Sequence, residues 1–592
     1  MSEWTTDGEW PAISIAEAHA RLTAPGAPFE MEDAALRGRG LRAYRNALND
    51  LRQVFDIGRG WGARPYLVYE DERQTYDAHF RAAGLLGRVL AERFGVARGG
   101  RVAIAIRNLP EWSLAFCAGA SIGAVLTPLN AWGLGDELAY GIRDSGARVA
   151  FVDDERLARL APLLGDLGLG GLISVRATED HGTGAVPLAA LIGDPAGYAD
   201  LPDDPMPDPG IHTDDPATIL YTSGTTGRPK GALGTHRNLL TNVVSIAFGA
   251  MRAAARRGDP IVPPDPDAPQ RVNLLPVPLF HVTGINSMMV PSVIAGAKLV
   301  LMRKWNAERF LELIETERVN ATTGVPAMVW QVLESPDFAR RDLSSLDSYG
   351  FGGAAVAPEL TGRFSEHFPW FKPSQGYGAT ETSSVSASNS AEDYLRRPDS
   401  VGLPVPVCDV KVVDADGQAL PTGAAGELWI KGPHVVAGYW NNPDATAAAF
   451  VDGWYRTGDI GRVDEDGFIY VVDRAKDMLI RGGENVYCVE IENVLVAHPD
   501  IVDAAVVGLP HRVLGEEVGA VVQARSGADV SEGELKAHAA RLLAPFKVPV
   551  RIDVRTGELP RNASGKTLKP VLRAELLASM EPRGSAAGNR DG

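Results

Sequence analysis

The sequence has 592 residues, of which 45% are hydrophobic and 22% charged, and its formal net charge is -17. This composition is typical of folded globular proteins and excludes a collagen, a coiled coil or a disordered chain. The negative charge repels phosphate backbones at long range, so nucleic acid is not expected as a partner.

Cysteine content and the apolar segments bear on the compartment. The three cysteines lie far apart in the sequence and form neither a C-x-x-C pair nor a disulfide framework, which favours a reducing, cytoplasmic compartment. Two uncharged stretches, 112–135 and 272–297, are interrupted by proline and polar residues, so neither provides an unbroken apolar helix of about 20 residues. We therefore expect a cytoplasmic protein without a signal peptide or stable membrane insertion.

From about residue 65 to 475, short apolar runs alternate with longer amphipathic segments. The runs at 101–107, 147–152, 217–221 and 298–302 predict buried strands, and Pro110 predicts the start of a helix, since proline is tolerated in a first helical turn. This alternation predicts parallel sheets covered by helices, an α/β fold.

The last part of the chain has a different pattern. Apolar runs at 502–508 and 518–524 precede a predicted helix from Ser531 to about Leu543, whose start is marked by the capping-box spacing of Ser531 and Glu534. A predicted strand at 550–554 completes a compact α+β unit. The predicted division of the chain is an N-terminal extension at 1–60, a large domain at 61–474, a small domain at 475–580 and a disordered tail at 581–592.

The most informative motif is the segment YTSGTTGRPKG at 221–231, which directly follows an apolar strand. Its glycines allow backbone N–H groups to close around phosphate oxygens, its hydroxyl groups add donors, and Lys230 adds positive charge. The ordinary P-loop spacing is not met, because Lys230 follows Pro229. The motif predicts a polyphosphate cradle, with a flexible polar hairpin as the alternative.

Three other residues are ambiguous when they are considered alone. Lys566 lies in the string SGKT at 564–567, which imitates the end of a P-loop, but an isolated lysine of this kind is more often a solvated loop residue. Glu381 and Asp459 are loop carboxylates of the type that hold Mg²⁺ or a ribose diol, and either fits a solvated turn equally well. The string GASIG at 119–123 matches a hydrolase nucleophile elbow only in form, because it lies inside a predicted helix.

Eight motifs in a fixed order resemble one family, the adenylate-forming enzymes, and within it the AMP-forming acyl-CoA synthetases. The strings are YTSGTTGRPKG (221–231), PLFHVTG (278–284), FGGAAV (351–356), GYGATE (376–381), GYWNNPDAT (438–446), WYRTGD (454–459), DRAKDMLIRGGENVYCVEIE (473–492) and PRNASGKTLK (560–569). The resemblance covers roughly residues 65–575. It implies a large domain of parallel sheets flanked by helices, a β-barrel-like subdomain, and a smaller mobile C-terminal domain, which we call the lid.

The same resemblance implies a reaction in two steps. A carboxylate attacks the α-phosphorus of ATP and gives an acyl-adenylate and pyrophosphate, and the thiol of coenzyme A then displaces AMP. Lys566 is implied to bridge the carboxylate and α-phosphate oxygens, where it offsets charge that grows in the transition state. Thr380 is implied to contact the α-phosphate. ATP, Mg²⁺, coenzyme A and a small carboxylic acid are the implied cofactors and partners.

The nucleotide site is also implied residue by residue. Tyr377 packs on the adenine, Asp459 accepts hydrogen bonds from the ribose hydroxyls with Arg474 beside it, and Glu381 coordinates Mg²⁺. The residues implied to bind ATP or AMP are Thr222, Ser223, Gly224, Thr225, Thr226, Gly227, Lys230, Gly353, Ala354, Gly376, Tyr377, Gly378, Thr380, Asp459, Arg474 and Lys566.

The resemblance implies that the lid rotates between the two steps. Lys476 lies at the implied hinge, and rotation there would withdraw Lys566 and bring Arg481, Gly482 and Gly483 to coenzyme A. Position 488 departs from the family pattern, because it is cysteine where many relatives have proline.

The acyl pocket decides the substrate. His281 resembles the family's aromatic gate beside the carboxylate, although an isolated histidine of this kind is more often a packed core residue. The predicted pocket residues are His281, Val282, Ile285, Val325, Trp330 and Gly352. The predicted lining segments 282–289, 325–330, 349–354 and 382–385 contain no basic side chain that would pair with a second carboxylate. We therefore expect a hydrophobic monocarboxylate, namely a medium- to long-chain fatty acid.

Several alternatives stay open at this stage. An aromatic acid is the closest alternative substrate, a carrier-protein thiol is an alternative acceptor, and a luciferase-like oxidation is a third possibility within the family. A nucleotide-binding protein without catalysis would require the loss of a central group, but Lys566, Glu381 and Asp459 are all present. A homodimer is an open alternative to a monomer.

Overall fold

The structure is a computed structural model that describes residues 10–204, 208–222, 228–261, 268–352, 356, 358–368, 370–482, 484–562 and 565–580. Parts of the predicted site lie outside the described residues, namely Ser223, Gly224, Thr225, Thr226, Gly227, Gly353, Ala354 and Gly483. The predicted tail at 581–592 also lies outside them.

The described residues form seventeen α-helices, together with short 3₁₀ segments and one π-helix at Thr283–Met289. The α-helices are α1 (Ile15–Thr23), α2 (Leu51–Arg59), α3 (Tyr76–Glu92), α4 (Pro110–Ser121), α5 (Gly135–Ser145), α6 (Asp154–Leu160), α7 (Leu188–Ile192), α8 (His236–Arg257), α9 (Val290–Ala295), α10 (Ala307–Glu317), α11 (Pro326–Glu334), α12 (Pro358–His367), α13 (Glu392–Arg396), α14 (Pro443–Ala449), α15 (Cys488–Val496), α16 (Glu532–Leu542) and α17 (Lys569–Met580).

The described residues also form twenty-eight strands, which are grouped in five sheets. The strands are β1 (Met31–Leu36), β2 (Arg39–Tyr44), β3 (Pro65–Tyr69), β4 (Glu72–Thr75), β5 (Arg101–Ala105), β6 (Val125–Pro128), β7 (Val149–Asp153), β8 (Gly171–Val175), β9 (Val186–Pro187), β10 (Pro216–Thr222), β11 (Lys230–Thr235), β12 (Val272–Leu275), β13 (Lys298–Leu301), β14 (Ala321–Gly324), β15 (Ser348–Phe351), β16 (Lys372–Tyr377), β17 (Ala387–Ser390), β18 (Leu403–Pro404), β19 (Asp409–Val413), β20 (Gly426–Lys431), β21 (Phe450–Val451), β22 (Trp454–Val463), β23 (Ile469–Arg474), β24 (Leu479–Arg481), β25 (Glu484–Val486), β26 (Ile501–His511), β27 (Gly515–Ala524) and β28 (Arg551–Arg555).

Two large sheets form the main body of the fold. The seven-stranded sheet has the order β11-β10-β6-β5-β7-β8-β9, and the nine-stranded sheet has the order β18-β17-β16-β15-β14-β12-β13-β3-β4. Their central strands are parallel and antiparallel strands lie at the edges. Strands buried on both faces read as continuous apolar runs, which is why the sequence pattern located them. The prediction of an α/β fold with parallel sheets flanked by helices is confirmed.

Helix α4 explains the uncharged stretch that begins at residue 112. All twelve of its residues are buried, and it contacts β5 and β6 of one large sheet and β3 of the other. A helix enclosed on every side has no polar face to present to water. The helix begins at Pro110, as predicted. No helix in the described ranges combines the length and apolarity needed to cross a membrane.

Asn108 connects the two large sheets by hydrogen bonds. Its side-chain amide donates to the backbone carbonyls of Val277 and Met302, at 2.8 and 3.1 Å, and its oxygen accepts from the backbone N–H of Leu279 at 2.8 Å. Because buried polar groups need partners, this arrangement fixes the segment that leads to His281.

The remaining sheets are smaller. Strands β19 to β23 form a five-stranded antiparallel subdomain, at the position of the predicted barrel-like unit. Strands β24 to β28 with α15, α16 and α17 form the C-terminal α+β unit. Its helix α16 begins with the predicted capping box of Ser531 and Glu534.

The N-terminal segment packs against the large domain. Helix α1 contacts α8, and the rings of His19 and Phe29 meet Phe248 edge-on at centroid distances of 5.0 and 5.3 Å. The buried cluster formed there also includes Tyr455 of β22, with Tyr377 packed against it. The N-terminal residues therefore contribute to the core behind the predicted adenine site.

Candidate active site

The site is built at the carboxyl ends of neighbouring parallel strands. Gly324 at the end of β14 pairs with Phe351 of β15, which pairs with Gln375 of β16. Residues that directly follow these strands are therefore side by side, at the sheet edge where α/β folds hold ligands. The sequence-predicted residues Val325, Gly352 and Gly376 occupy this edge.

The turn after β16 requires a residue without a side chain. A Cβ atom at Gly378 would lie 1.5 Å from the carbonyl oxygen of Ser384, so no other residue fits this close approach. The turn leads into a 3₁₀ segment at Thr380–Thr382 that presents partly exposed Thr380 and buried Glu381.

Asp459 is held in a network that fits a ribose partner. Strands β22 and β23 pair Asp459 with Arg474, whose Nε atom lies 3.4 Å from a carboxylate oxygen of Asp459. The Tyr377 hydroxyl donates to Asp459 at 2.8 Å. Burial, followed by the charge of Asp459, raises the pKa of Tyr377 well above its usual value, so this phenol stays protonated and donates. The structure thus brings Tyr377, Asp459 and Arg474 together.

Glu381 lies beside the end of the phosphate-loop hairpin. The hydroxyl of Tyr439 donates to Glu381 at 2.7 Å, and the ammonium of Lys230 lies 5.1 Å from the centre of the Tyr439 ring. Thr222 and Lys230 face each other across β10 and β11, at the two ends of the loop. The structure therefore brings the carboxylate predicted to bind metal close to the lysine predicted to bind phosphate.

The donor set fits a magnesium ion that arrives with a nucleotide. Within the described ranges, no three His, Cys, Asp or Glu side chains are grouped to hold a metal ion. Mg²⁺ is commonly bound by one or two carboxylates together with phosphate oxygens and water, and Tyr439 uses only one oxygen of Glu381.

Lys566 lies in a loop of the lid that is stabilised by hydrogen bonds. The backbone N–H of Lys566 donates to the side chain of Asn562 at 3.0 Å, and the Arg561 guanidinium donates to the carbonyl of Gly565 at 2.6 Å. Gly565 has a φ of 79°, and a Cβ atom there would lie 3.0 Å from Val325. The loop therefore touches the edge of the large domain where the acyl pocket is predicted.

The charge environment of Lys566 identifies the orientation of the lid. Burial, with a smaller contribution from Arg474, lowers the pKa of Lys566 to about 8, while Asp459 and Glu381 act in the opposite direction. Because the charges of Asp459 and Glu381 both act on the Lys566 ammonium, this group lies inside the predicted nucleotide site. The lid is thus docked with its lysine in the cleft.

Helix α11 provides the docking surface for the lid. Arg525 of the lid forms an ion pair with Glu334 at 2.5 Å, and its guanidinium lies 5.3 Å from the centre of the Trp330 ring. Gln331 donates to Glu558 of the lid at 2.6 Å. These contacts all lie in the C-terminal half of α11, which therefore faces the lid.

A hydrogen bond crosses the predicted hinge. The buried carboxylate of Asp473 accepts from the backbone N–H of Arg474 at 2.7 Å and from the backbone N–H of Cys488. Burial raises the pKa of Asp473 to about 6. Lys476 lies exposed in the turn between Arg474 and Asp477. Cysteine at position 488, where many relatives have proline, provides the N–H group that donates to Asp473, and proline would lack it.

The residues predicted to contact coenzyme A lie on the lid sheet. Arg481 forms a bidentate ion pair with Glu517, at 2.7 and 2.9 Å, and the N–H of Gly482 donates to the carbonyl of Leu514 at 2.8 Å. Gly482 has a φ of 60°, which favours glycine.

The predicted acyl-pocket residues divide into two groups. Val282, Ile285 and Trp330 lie in buried core clusters and are exposed by 9%, 0% and 5%. His281, Val325 and Gly352 are partly exposed, and a Cβ atom at Gly352 would meet nothing within 4 Å. Open space therefore lies at Gly352, whereas the side chains of the first group already pack in the core. The assignment of all six residues to the acyl pocket stays a prediction.

Sequence reasoning missed two contributors to the site. Tyr439 lies within the quoted GYWNNPDAT motif but was given no role, and Asp473 begins another quoted motif. For Tyr439, the available signal was its position inside one of the ordered motifs. For Asp473 there was no local signal, because its partner Cys488 is fifteen residues away.

We expect docking of the ligand-free lid to become more favourable as pH rises from about 8 to 10.5. The docked lysine loses its proton near pH 8 and an undocked lysine keeps it to its ordinary value of 10.5, so docking releases a proton in this window. Below pH 8 both forms are charged and the cost of burial is largest. Fluorescence transfer between dyes on the large domain and the lid measures the docked fraction.

Lys566→Met should remove this pH dependence, and Lys536→Met is the matched control because Lys536 pairs with Glu532 on the lid helix α16. An unchanged dependence in Lys566→Met would contradict the placement of Lys566.

We expect Cys488→Pro to weaken lid docking by roughly 3- to 30-fold, because it leaves the buried Asp473 carboxylate without one donor. Proline suits the first residue of a helix, and Cys488 begins α15. Both Cys488→Pro and Cys488→Ala remove the thiol, which donates to the carbonyl of Asp477 at 2.9 Å, so the two variants differ in the N–H group. Cys488→Ala keeps the N–H group and serves as the control. The same fluorescence measurement applies, and equal docking in both variants would refute the role of this hydrogen bond.

The sequence matches a known enzyme family over most of its length. The sequence matches the AMP-binding enzyme family over residues 55–440 and the C-terminal domain of AMP-binding enzymes over residues 490–566. Feruloyl-CoA synthase of Amycolatopsis sp is 35% identical over 480 residues, covering 81% of this chain and 89% of that protein. Long-chain-fatty-acid–CoA ligase FadD13 of Mycobacterium tuberculosis is 34% identical over 516 residues, covering 86% and 94%.

A solved structure agrees with this result. The anthranilate CoA ligase AuaEII in complex with anthranoyl-AMP superposes with a TM-score of 0.78 at 26% identity, covering 90% of this chain and 98% of that one. The family predicted from the order of the motifs is confirmed: the chain belongs to the AMP-binding enzymes, the adenylate-forming family.

Proposed function

We propose that the chain activates a hydrophobic carboxylic acid with ATP and transfers the acyl group to coenzyme A. The observation that carries this proposal is the position of the Lys566 loop: Gly565 lies against Val325 at the sheet edge, and the charges of Asp459 and Glu381 act on the lysine. A lysine withdrawn from water at this position is suited to two anions, which would restore its positive charge.

In the first step, a carboxylate oxygen forms a bond to the α-phosphorus while the bond to pyrophosphate breaks. Lys566 would offset the charge of the carboxylate and α-phosphate oxygens, and Thr380 would donate to the α-phosphate. Lys230 and the loop at 222–230 would hold the β- and γ-phosphates. Bound Mg²⁺, with Glu381 as its protein ligand, would neutralise phosphate charge. Asp459, with Tyr377 donating to one of its oxygens, would hold the ribose.

In the second step, the thiol sulfur of coenzyme A attacks the acyl carbon and AMP leaves. We propose that the lid turns at Lys476 for this step, which would carry Arg481, Gly482 and Gly483 toward the thiol arm. The docked lid is held by α11 and by the bond between Asp473 and Cys488. These contacts include an ion pair and hydrogen bonds, and polar contacts of this kind suit a reversible interface.

For the acid, we favour an aromatic monocarboxylate over the medium- to long-chain fatty acid expected from sequence. The large apolar side chains of the predicted pocket, such as Ile285 and Trp330, are buried in core clusters. The partly exposed residues of the predicted lining segments 282–289 and 382–385 include Ser287 and Ser384, whose hydroxyls lie 2.8 Å apart. Paired hydroxyl groups suit a polar ring substituent better than an alkyl chain. Feruloyl-CoA synthase and the anthranilate ligase support this preference, and FadD13 supports the fatty acid.

Three buried free cysteines fit a reducing compartment, and we propose a cytoplasmic location.

We expect ferulate and 4-coumarate to exceed octanoate and palmitate in kcat/KM for coenzyme A-dependent AMP release. Ser287→Ala should lower kcat/KM for 4-coumarate by roughly 2- to 12-fold, because one hydrogen bond to the ring hydroxyl is lost. Cinnamate lacks that hydroxyl and is the matched control, which should be unchanged. A preference for octanoate or palmitate would reject the aromatic class, and AMP release with none of the acids would overturn the proposed function.

A further inference from the structure

The N-terminal hairpin places an arginine in an unusual backbone conformation. Strands β1 and β2 pair in register up to Leu36 and Arg39, so Arg37 and Gly38 form a two-residue turn. Their φ angles are 50° and 74°. Turns of this geometry favour asparagine, aspartate or glycine at the first position, and a left-handed arginine is disfavoured. Hydrogen bonds of the Arg37 side chain can offset this cost.

The guanidinium of Arg37 reaches a distant segment of the chain. It donates to the backbone carbonyl of Val436 at 2.9 Å and to that of Val435 at 3.4 Å. Both valines are buried and belong to residues 433–440, which we call the strap. The strap lies along the edge strand β11, since Leu233 donates to the carbonyl of Gly438 and Trp440 donates to that of Gly231.

The strap is connected directly to the candidate metal ligand. The backbone N–H of Val436 donates to the backbone carbonyl of Glu381 at 2.9 Å. At the other end of the strap, the Tyr439 hydroxyl donates to the Glu381 carboxylate at 2.7 Å. The peptide unit between Val435 and Val436 thus accepts from Arg37 through the Val435 carbonyl and donates to the Glu381 carbonyl through the Val436 N–H.

The hairpin lies outside the region shared with the family. The family match begins at residue 55, whereas Arg37 and its hairpin precede it. The match to the family model therefore does not include this contact.

We propose that Arg37 is a positioning residue for the magnesium and phosphate half of the nucleotide site. Its hydrogen bonds fix the strap, and the strap fixes the backbone and carboxylate of Glu381 beside Lys230. The inference rests on the proposed function, because it assigns Glu381 to a magnesium–nucleotide complex.

Arg37→Gly separates positioning from folding. Glycine adopts a φ of 50° without strain, so the variant should melt at the same or a higher temperature than the unaltered protein. Calorimetry should show a dissociation constant for MgATP that rises roughly three- to tenfold. With EDTA in place of magnesium, ATP should bind both proteins equally, because the Glu381 carboxylate then has no metal to hold.

Two further variants complete the test. Arg37→Lys keeps the turn and one donor for Val436, so its affinity for MgATP should lie between those of the unaltered protein and Arg37→Gly. Arg45→Ala removes exposed ion pairs with Glu30 and Glu32 beside the same hairpin and should bind MgATP normally.

Equal MgATP affinity in Arg37→Gly and the unaltered protein would overturn the inference. A loss that is the same with magnesium and with EDTA would also overturn it, since a general structural defect does not depend on the metal. MgATP binding without activity toward any acid would overturn only the proposed function. Failure of the unaltered protein to bind MgATP would overturn both.

Discussion

The constraint on which the rest of this structure depends is the repulsion between two anions that must react. A carboxylate and a triphosphate meet only if positive charge is supplied where they approach, and we propose that the Lys566 ammonium supplies it in this chain. Burial lowers the pKa of Lys566 to about 8, so docking of the ligand-free lid costs free energy because it removes a charged lysine from water. Arriving anions remove that cost, and substrate binding and lid docking therefore favour each other.

The remainder of the fold holds the partners of this lysine at fixed positions. The parallel strands β14, β15 and β16 align the acyl and adenine sides of the cleft at one sheet edge. The antiparallel pair β22 and β23 sets Asp459 opposite Arg474, and the strap sets Tyr439 against Glu381. Elements of the large domain thus carry Tyr377, Asp459, Arg474 and Glu381, which we propose as nucleotide partners, and the lid carries Lys566. Such a division allows one lid to serve one step and leave before the next.

Local patterns in the sequence predicted the parts of the fold that depend on local physics. Fully buried strands such as β7 appear as apolar runs, Pro110 marks a helix start, and the Ser531–Glu534 box marks another. Ordered motifs predicted Tyr377, Asp459, Glu381 and Lys566 as site residues, and the structure brings these side chains into one electrostatic network. Their individual chemical roles stay proposals.

Features that depend on long-range pairing could not be predicted in the same way. Ile285 and Trp330 belong to apolar segments, but whether an apolar side chain lines a pocket or fills a core depends on neighbours far away in sequence. The bond between Asp473 and Cys488 and the contact of Arg37 with Val436 join residues 15 and 399 positions apart. No periodicity or spacing in one sequence encodes such partners.

The half-reactions of Lys566→Ala test the central claim most directly. We expect acid-dependent exchange of pyrophosphate with ATP to fall by about two to three orders of magnitude, since one charge-stabilising donor is lost at the reacting atoms. Thioester formation from supplied acyl-adenylate and coenzyme A should change only a few-fold, because the proposed rotation of the lid withdraws the lysine from the cleft in that step. An equal loss of both half-reactions, or a variant that exchanges pyrophosphate normally, would contradict the account.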